Sequence, residues 1–189
     1  MFARGFKTWC EDLAARLRSD LELLSIAPLE PTRLAEFLDV TLWTPGDVAG
    51  LDADLQRRLV TDHSANWSAI SLRDGNRWLV VYNPSHSTAR TASNVMHELA
   101  HILLEHRPRR MFIAPTGLAL RTHDRDQEDE ASWLSGCLLL PRAALIHVLK
   151  SRISSARACT LYSVSNDLLR FRMNATGVNL QLKRAASKA

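Results

Sequence analysis

Two histidines one helical turn apart, in the segment His97-Glu98-Leu99-Ala100-His101, constrain this chain more than any other feature. On an α-helix, residues i and i+4 lie on the same face, so the two imidazoles can bind one divalent ion only if the segment is helical. Glu98 is offset from His97 by about 100° and flanks the ion, which is where a general base belongs. We therefore predict a zinc-hydrolase helix with His97 and His101 as metal ligands and Glu98 as the catalytic residue.

Two histidines leave the metal one protein ligand short, because catalytic zinc sites use three protein ligands and keep one position open. An acidic cluster lies just before residue 131. We interpret most of its carboxylates as solvent-facing charges, which are favourable at a helix N-terminus. A carboxylate on a helix packed against the histidine helix would complete a His₂Glu set, so Glu128 or Glu130 is predicted as the third ligand. The full set of downstream candidates is His106, His123, Asp124, Asp126, Glu128, Asp129 and Glu130.

The pattern of apolar residues predicts an α+β fold: a small antiparallel sheet packed on a thermolysin-like pair of zinc helices, with a helical C-terminal part. The segments 67–72 and 78–82 flank a turn containing Gly75 and predict a β-hairpin, and 40–43 predicts a further strand. The strand ending at Tyr82 could present its backbone edge to an extended substrate. Helices are predicted over 2–24, from Thr32 to Leu38, near 54–59, from a cap within 87–91 to Pro108, over 128–140, and as short pieces over 141–174.

The C-terminal part allows two interpretations. Residues 156–174, with Arg170 and Arg172, could form a DNA-binding helix-turn-helix, or a helical hairpin that packs on the core. We favour the hairpin, because only a few basic residues would face a groove. We divide the chain into a metallopeptidase core with its N-terminal helix (1–141), a helical subdomain that could be helix-turn-helix-like (142–178) and a basic tail (179–189).

Composition narrows the class of protein. The net charge of +4 indicates a solvated loop and tail more than a nucleic-acid patch. Three widely spaced cysteines favour a reducing compartment, and no segment approaches the roughly 18 apolar residues of a membrane span, so we expect a cytoplasmic protein without a membrane partner. No signal indicates an oligomeric state. The residues behind these expectations are Arg107, Arg109, Arg110, Lys183, Arg184 and Lys188 for the charge, and Cys10, Cys137 and Cys159.

The pattern of Arg90, then 97–106, then 128–131 running into 138–141, resembles the ImmA/IrrE family of zinc metallopeptidases, and the resemblance covers most of residues 6–178. It implies Zn²⁺ as the cofactor. In such families the metal-binding Glu lies four residues before an Asn or Asp, which favours Glu128 over Glu130. Ser132 takes the partner position here, and a hydroxyl holds a ligating histidine less firmly than a carboxylate does.

The resemblance implies a zinc-dependent endopeptidase that cleaves a specific helix-turn-helix repressor in a bacterial or mobile-element regulatory circuit. The alternative is a DNA-binding or protein-interaction regulator with a structural or inactive zinc site. An oxyanion-stabilising donor is also needed, and Tyr82, His106 and His123 are candidates between which the sequence does not choose.

Overall fold

The computed structural model describes residues 2–62, 67–106, 111–113, 119–121 and 124–187, and the α+β class is confirmed. The helices are α1 (Phe6–Asp20), α2 (Pro31–Phe37), α3 (Ala53–Val60), α4 (Thr88–Leu103), α5 (Arg125–Leu139), α6 (Arg142–Lys150), α7 (Ser155–Leu161), α8 (Asn166–Thr176) and α9 (Val178–Ala186). The strands are β1 (Val40–Trp43), β2 (Ala69–Asp74), β3 (Arg77–Tyr82), β4 (Met111–Ile113) and β5 (Ala119–Arg121).

The main sheet has the strand order β1-β3-β2 and is mixed. The predicted hairpin is confirmed, because β2 and β3 pair antiparallel across a turn in which Gly75 has a φ of 58°. The expectation of a small antiparallel sheet is wrong for one of its two pairings: β1 pairs parallel with β3, with Val40 opposite Trp78. The chain between β1 and β3 includes β2, which runs antiparallel to both and returns the chain to the end of the sheet at which β3 begins.

The loop between α4 and α5 contains a second sheet of two short antiparallel strands, β4 and β5. Several sequence-based expectations concern residues in or near this loop whose structure is not described: His123, Arg107, Arg109 and Arg110, together with Lys188 at the C-terminus.

The helix α4 packs between the main sheet and α5, and its buried stripe contains Val95, Met96 and Leu99. Its N-cap is Ser87, whose hydroxyl accepts a hydrogen bond from the backbone of Arg90. The facing stripe of α5 is also apolar, with Ala131 fully buried. Since the core lies on one side of α4, its other side is left for the polar residues of the site.

Two buried arginines bind backbone carbonyls at the C-terminal end of α5. The sequence pattern did not predict this arrangement. Arg18 on α1 donates to the carbonyl of Leu138 at 2.7 Å, and Arg172 on α8 donates to the carbonyl of Leu140 at 3.1 Å. The last carbonyls of a helix have no partner within it and carry partial negative charge, so they favour cations. Burial lowers the pKa of Arg18 to about 10, which leaves it charged at neutral pH.

The expected helical C-terminal part is present as α6 to α9, and α9 occupies most of the segment expected as a tail. Arg172 is fully buried and forms an ion pair with Glu11. It therefore lies in the core and is not available to contact DNA. The division of the chain at residue 141 stays a prediction. No single helix in the described ranges is long and apolar enough to cross a bilayer, although by length and composition alone the bent pair α5 and α6 would suffice together.

Candidate metal centre

The two histidines of α4 lie side by side on one face of the helix, as the sequence predicts. Their ring centroids are 4.7 Å apart, and the two Nε2 atoms are 3.1 Å apart. His101 is buried at 8% exposure, whereas His97 is half-buried. Both rings therefore present the same nitrogen to one small space beside the helix.

Glu128 faces the two rings from α5. The carboxylate of Asp124 caps α5 by accepting from the backbone of Asp126 and Gln127, so the helix begins at Arg125, three residues before the predicted start. This puts Glu128 in the first turn, where its Oε2 lies 3.3 Å from Nε2 of His97 and its Oε1 lies 3.4 Å from Nε2 of His101.

The three side chains offer ligand atoms within 4.8 Å of one another, and within the described residues no other group of three metal-binding side chains is brought together. Two imidazole nitrogens and one carboxylate oxygen suit zinc, and three protein ligands leave a fourth position open. The residues present fit a catalytic zinc ion.

Glu98 is buried at 5% exposure and lies against the sheet. Its Oε2 accepts a hydrogen bond of 3.0 Å from the backbone N–H of Ser71 on β2. Since β2 is an outer strand of the sheet, this N–H points away from β3 and into the space beside α4. This hydrogen bond orients the carboxylate of Glu98 through Oε2 and does not involve Oε1.

The expectation that the strand ending at Tyr82 offers a free edge is wrong. That strand is β3, which is central and is paired on both sides, and the open edge next to Glu98 belongs to β2. Strand order depends on long-range pairing, so no local pattern distinguished the two strands of the hairpin. Ser71 is accordingly a residue of the site that the sequence did not indicate.

The other candidates for the third ligand are arranged differently. Asp124 is a helix cap, and Asp126 and Asp129 are exposed. Nε2 of His106 lies 3.2 Å from Oε2 of Glu130, and Nδ1 of His106 lies 2.9 Å from Nδ1 of His101. His106 and Glu130 thus lie behind His101 and outside the group of three.

The resemblance places Ser132 where a residue would hold a ligating histidine, but the structure uses a different residue there. Ser132 is exposed, and it is the ring of His106 that the structure places against Nδ1 of His101.

Tyr82 lines a cavity of about 350 Å³ near the N-terminal half of α4. The cavity is bounded on α4 by Thr91, Ala92 and Val95. At 100° per residue, these positions form a different face of the helix from His97 and His101. The cavity therefore lies beside the group of three and is separate from it.

Comparison with known proteins gives one family. A family model described as Peptidase_M78, IrrE N-terminal-like domain, matches residues 55–174. The match includes α4, the first turn of α5 and the hairpin that contacts Glu98. The curated proteins gave no match.

Proposed function

Because this chain belongs to the IrrE N-terminal-like family, Peptidase_M78, we propose that it is a zinc-dependent endopeptidase. In this proposal His97, His101 and Glu128 bind the metal and Glu98 is the general base. The observation that carries it is the convergence of three ligand atoms from two helices within 4.8 Å, beside a buried carboxylate. A structural zinc site has no need of such a carboxylate, which favours an enzyme over a scaffold.

The zinc ion would supply Lewis-acid activation of a water molecule and of the scissile carbonyl. Both histidines must be neutral, because each gives the lone pair of Nε2. Glu98 takes the proton from the attacking water through the oxygen that Ser71 does not hold. It then returns this proton to the nitrogen of the leaving amine, so that the carboxylate is regenerated and the C–N bond is broken.

The edge of β2 supplies a way to bind an extended peptide. In an antiparallel pair, the backbone groups of alternate residues point away from the partner strand. Ser71 lies opposite Val80 and points its N–H outward to Glu98, so Ala69 and Arg73 point their backbone groups the same way. A peptide that adds to this edge by strand pairing would pass directly beside the proposed base.

The biological substrate that we propose is a helix-turn-helix repressor, following the family resemblance, with the reaction taking place in the cytoplasm. The three free cysteines are compatible with a reducing compartment. Direct binding of nucleic acid is not part of the proposal, because Arg172 is buried and leaves only Arg170 among the two basic residues expected to face DNA.

Metal analysis and two acid-to-amide variants, Glu98→Gln and Glu105→Gln, test the proposal. We expect about one zinc per chain in the purified protein, and its loss when both His97 and His101 are changed to Ala. Glu98→Gln should keep the zinc and lose cleavage, whereas Glu105→Gln, at an exposed position just beyond the same helix, should keep both.

The substrates for this assay are a random library of synthetic peptides, read by mass spectrometry, and the repressor from the neighbouring reading frame. A wild-type protein without zinc, or cleavage retained by Glu98→Gln, would remove the proposed site or the proposed base. Cleavage of the library with the repressor left intact would keep the peptidase and reject the repressor.

A further inference from the structure

We propose that His106 and Glu130 are positioning residues that hold His101 in the orientation and tautomer needed for metal binding. The proposal rests on the zinc site described above. It assigns a role to two residues that the sequence could only offer as ligands or as oxyanion donors. Its basis is a continuous line of hydrogen bonds that runs from the group of three to Glu130.

The way α4 ends brings His106 back onto His101. The N–H of His106 bonds to the carbonyl of His101 at 3.0 Å, and the N–H of Glu105 bonds to the carbonyl of Ile102 at 3.0 Å. With Glu105 at a φ of 52°, this is a Schellman motif, in which the chain reverses in one left-handed residue. The two rings consequently meet at 66° with their centroids 5.0 Å apart.

For two neutral imidazoles beside a carboxylate, these contacts allow one arrangement of the hydrogens. A carboxylate can only accept, so Nε2 of His106, which lies 3.2 Å from Glu130, carries the hydrogen. A neutral His106 then has an acceptor at Nδ1, so the bond of 2.9 Å requires a hydrogen on Nδ1 of His101. A neutral His101 therefore keeps its lone pair on Nε2, the nitrogen that faces Glu128 and His97.

Burial strengthens the hydrogen bonds that connect His101, His106 and Glu130. The side chain of His106 is only 8% exposed and that of His101 is 10% exposed, so water competes little for the bond between them. Glu130 is 28% exposed, which lets its carboxylate stay hydrated on one side while it accepts from His106. Glu130 thus supports His101 through His106, a task for which the sequence offered only Ser132.

Zinc affinity measured on the full chain tests the proposal without any peptidase assay. Apoprotein prepared with a chelator is titrated with zinc against a chromophoric competitor. His106→Leu removes the acceptor for His101 and should weaken zinc binding about 10- to 100-fold. His106→Asn keeps an amide oxygen near the place of Nδ1 but loses the bond to Glu130, so it should weaken zinc binding less than His106→Leu does.

Two variants of α5 complete the design. Glu130→Ala should weaken zinc binding in the same direction as His106→Leu, whereas Asp129→Asn, at the exposed neighbouring position, should leave zinc affinity unchanged. The melting temperature of each apoprotein separates this role from a purely structural one. If His106→Leu does not fold, Glu130→Ala compared with Asp129→Asn decides.

The outcomes distinguish this inference from the proposed function. A wild-type protein that binds no zinc overturns both. A wild-type protein that binds zinc, together with a folded His106→Leu variant of equal affinity, overturns the positioning role alone. Equal weakening by His106→Asn and His106→Leu would also reject it, because the amide restores the acceptor.

Discussion

Replacing Arg172 by Met should destabilise the protein strongly, because this guanidinium is fully buried and joins three parts of the chain. Its Nε donates to the carbonyl of Leu140 at 3.1 Å, and one terminal nitrogen forms the ion pair with Glu11 on α1. Methionine can fill much of the same space but offers neither a charge nor a donor. The variant therefore isolates the polar contribution of Arg172.

The expected cost follows from these contacts. Breaking a buried ion pair by removing one partner costs about 3 to 5 kcal/mol. Glu11 is 23% exposed and also accepts from the backbone N–H of Arg142 at 2.9 Å, so its carboxylate is not stranded. The second terminal nitrogen of Arg172 has no partner in the described part of the chain, and methionine removes that defect. We therefore expect a loss of about 2 to 3 kcal/mol, or about 5 to 10 °C in melting temperature.

Urea and thermal unfolding followed by circular dichroism measure this loss. The matched control is Arg170→Met on the exposed side of the same helix, which should change the free energy of unfolding by less than about 0.5 kcal/mol. Adding Glu11→Gln to Arg172→Met should recover part of the loss, because it removes a half-buried charge that has lost its cationic partner. Equal stability of the Arg170 and Arg172 variants would refute the reasoning and would favour a surface role for both, as a DNA-binding helix requires.

Two further predictions concern Gly136 and Tyr162. Gly136→Ala should lower the melting temperature despite a gain in helix propensity of about 1 kcal/mol, because the new Cβ would lie 3.1 Å from Cδ of Arg172, whose head group is held. Burial raises the pKa of Tyr162, whose hydroxyl donates to the carbonyl of Ile26 at 2.8 Å, so the folded state binds its proton more tightly than the unfolded state does. Stability should therefore fall as the pH rises above about 10, and urea unfolding between neutral and alkaline pH should show that Tyr162→Phe makes this fall shallower.

Local sequence signals predicted those parts of the fold that local interactions determine. The hairpin follows from a Gly-containing turn between two β-rich segments, and α4 follows from its apolar stripe and a cap at Ser87. The parallel position of β1 and the central position of β3 depend on pairing between distant segments. The burial of Arg172 likewise depends on the carbonyl end of α5, which is 32 residues away along the chain.

The same distinction between local and long-range interactions applies to the site. His97, Glu98 and His101 lie on one helix, so their relative placement follows from helical geometry alone. The proposed third ligand is ambiguous from the sequence alone, because Glu128 and Glu130 both lie near the start of α5 and differ by about 200° around its axis. Only the rotation of α5 against α4 decides which carboxylate faces the two rings.

The contacts along α5 define that rotation. Ala131 and Ser135 lie near the face of Glu128 on a 3.6-residue turn, and both are buried. Gly136, about 80° away from Glu128, lies against Arg172 of α8, where a larger residue would crowd the guanidinium. Turning α5 far enough to bring Glu130 to the histidines would expose the first pair and would move Gly136 away from Arg172. The C-terminal helices thus help to turn Glu128 and not Glu130 toward His97 and His101, which explains why a buried arginine far from these histidines bears on which carboxylate they face.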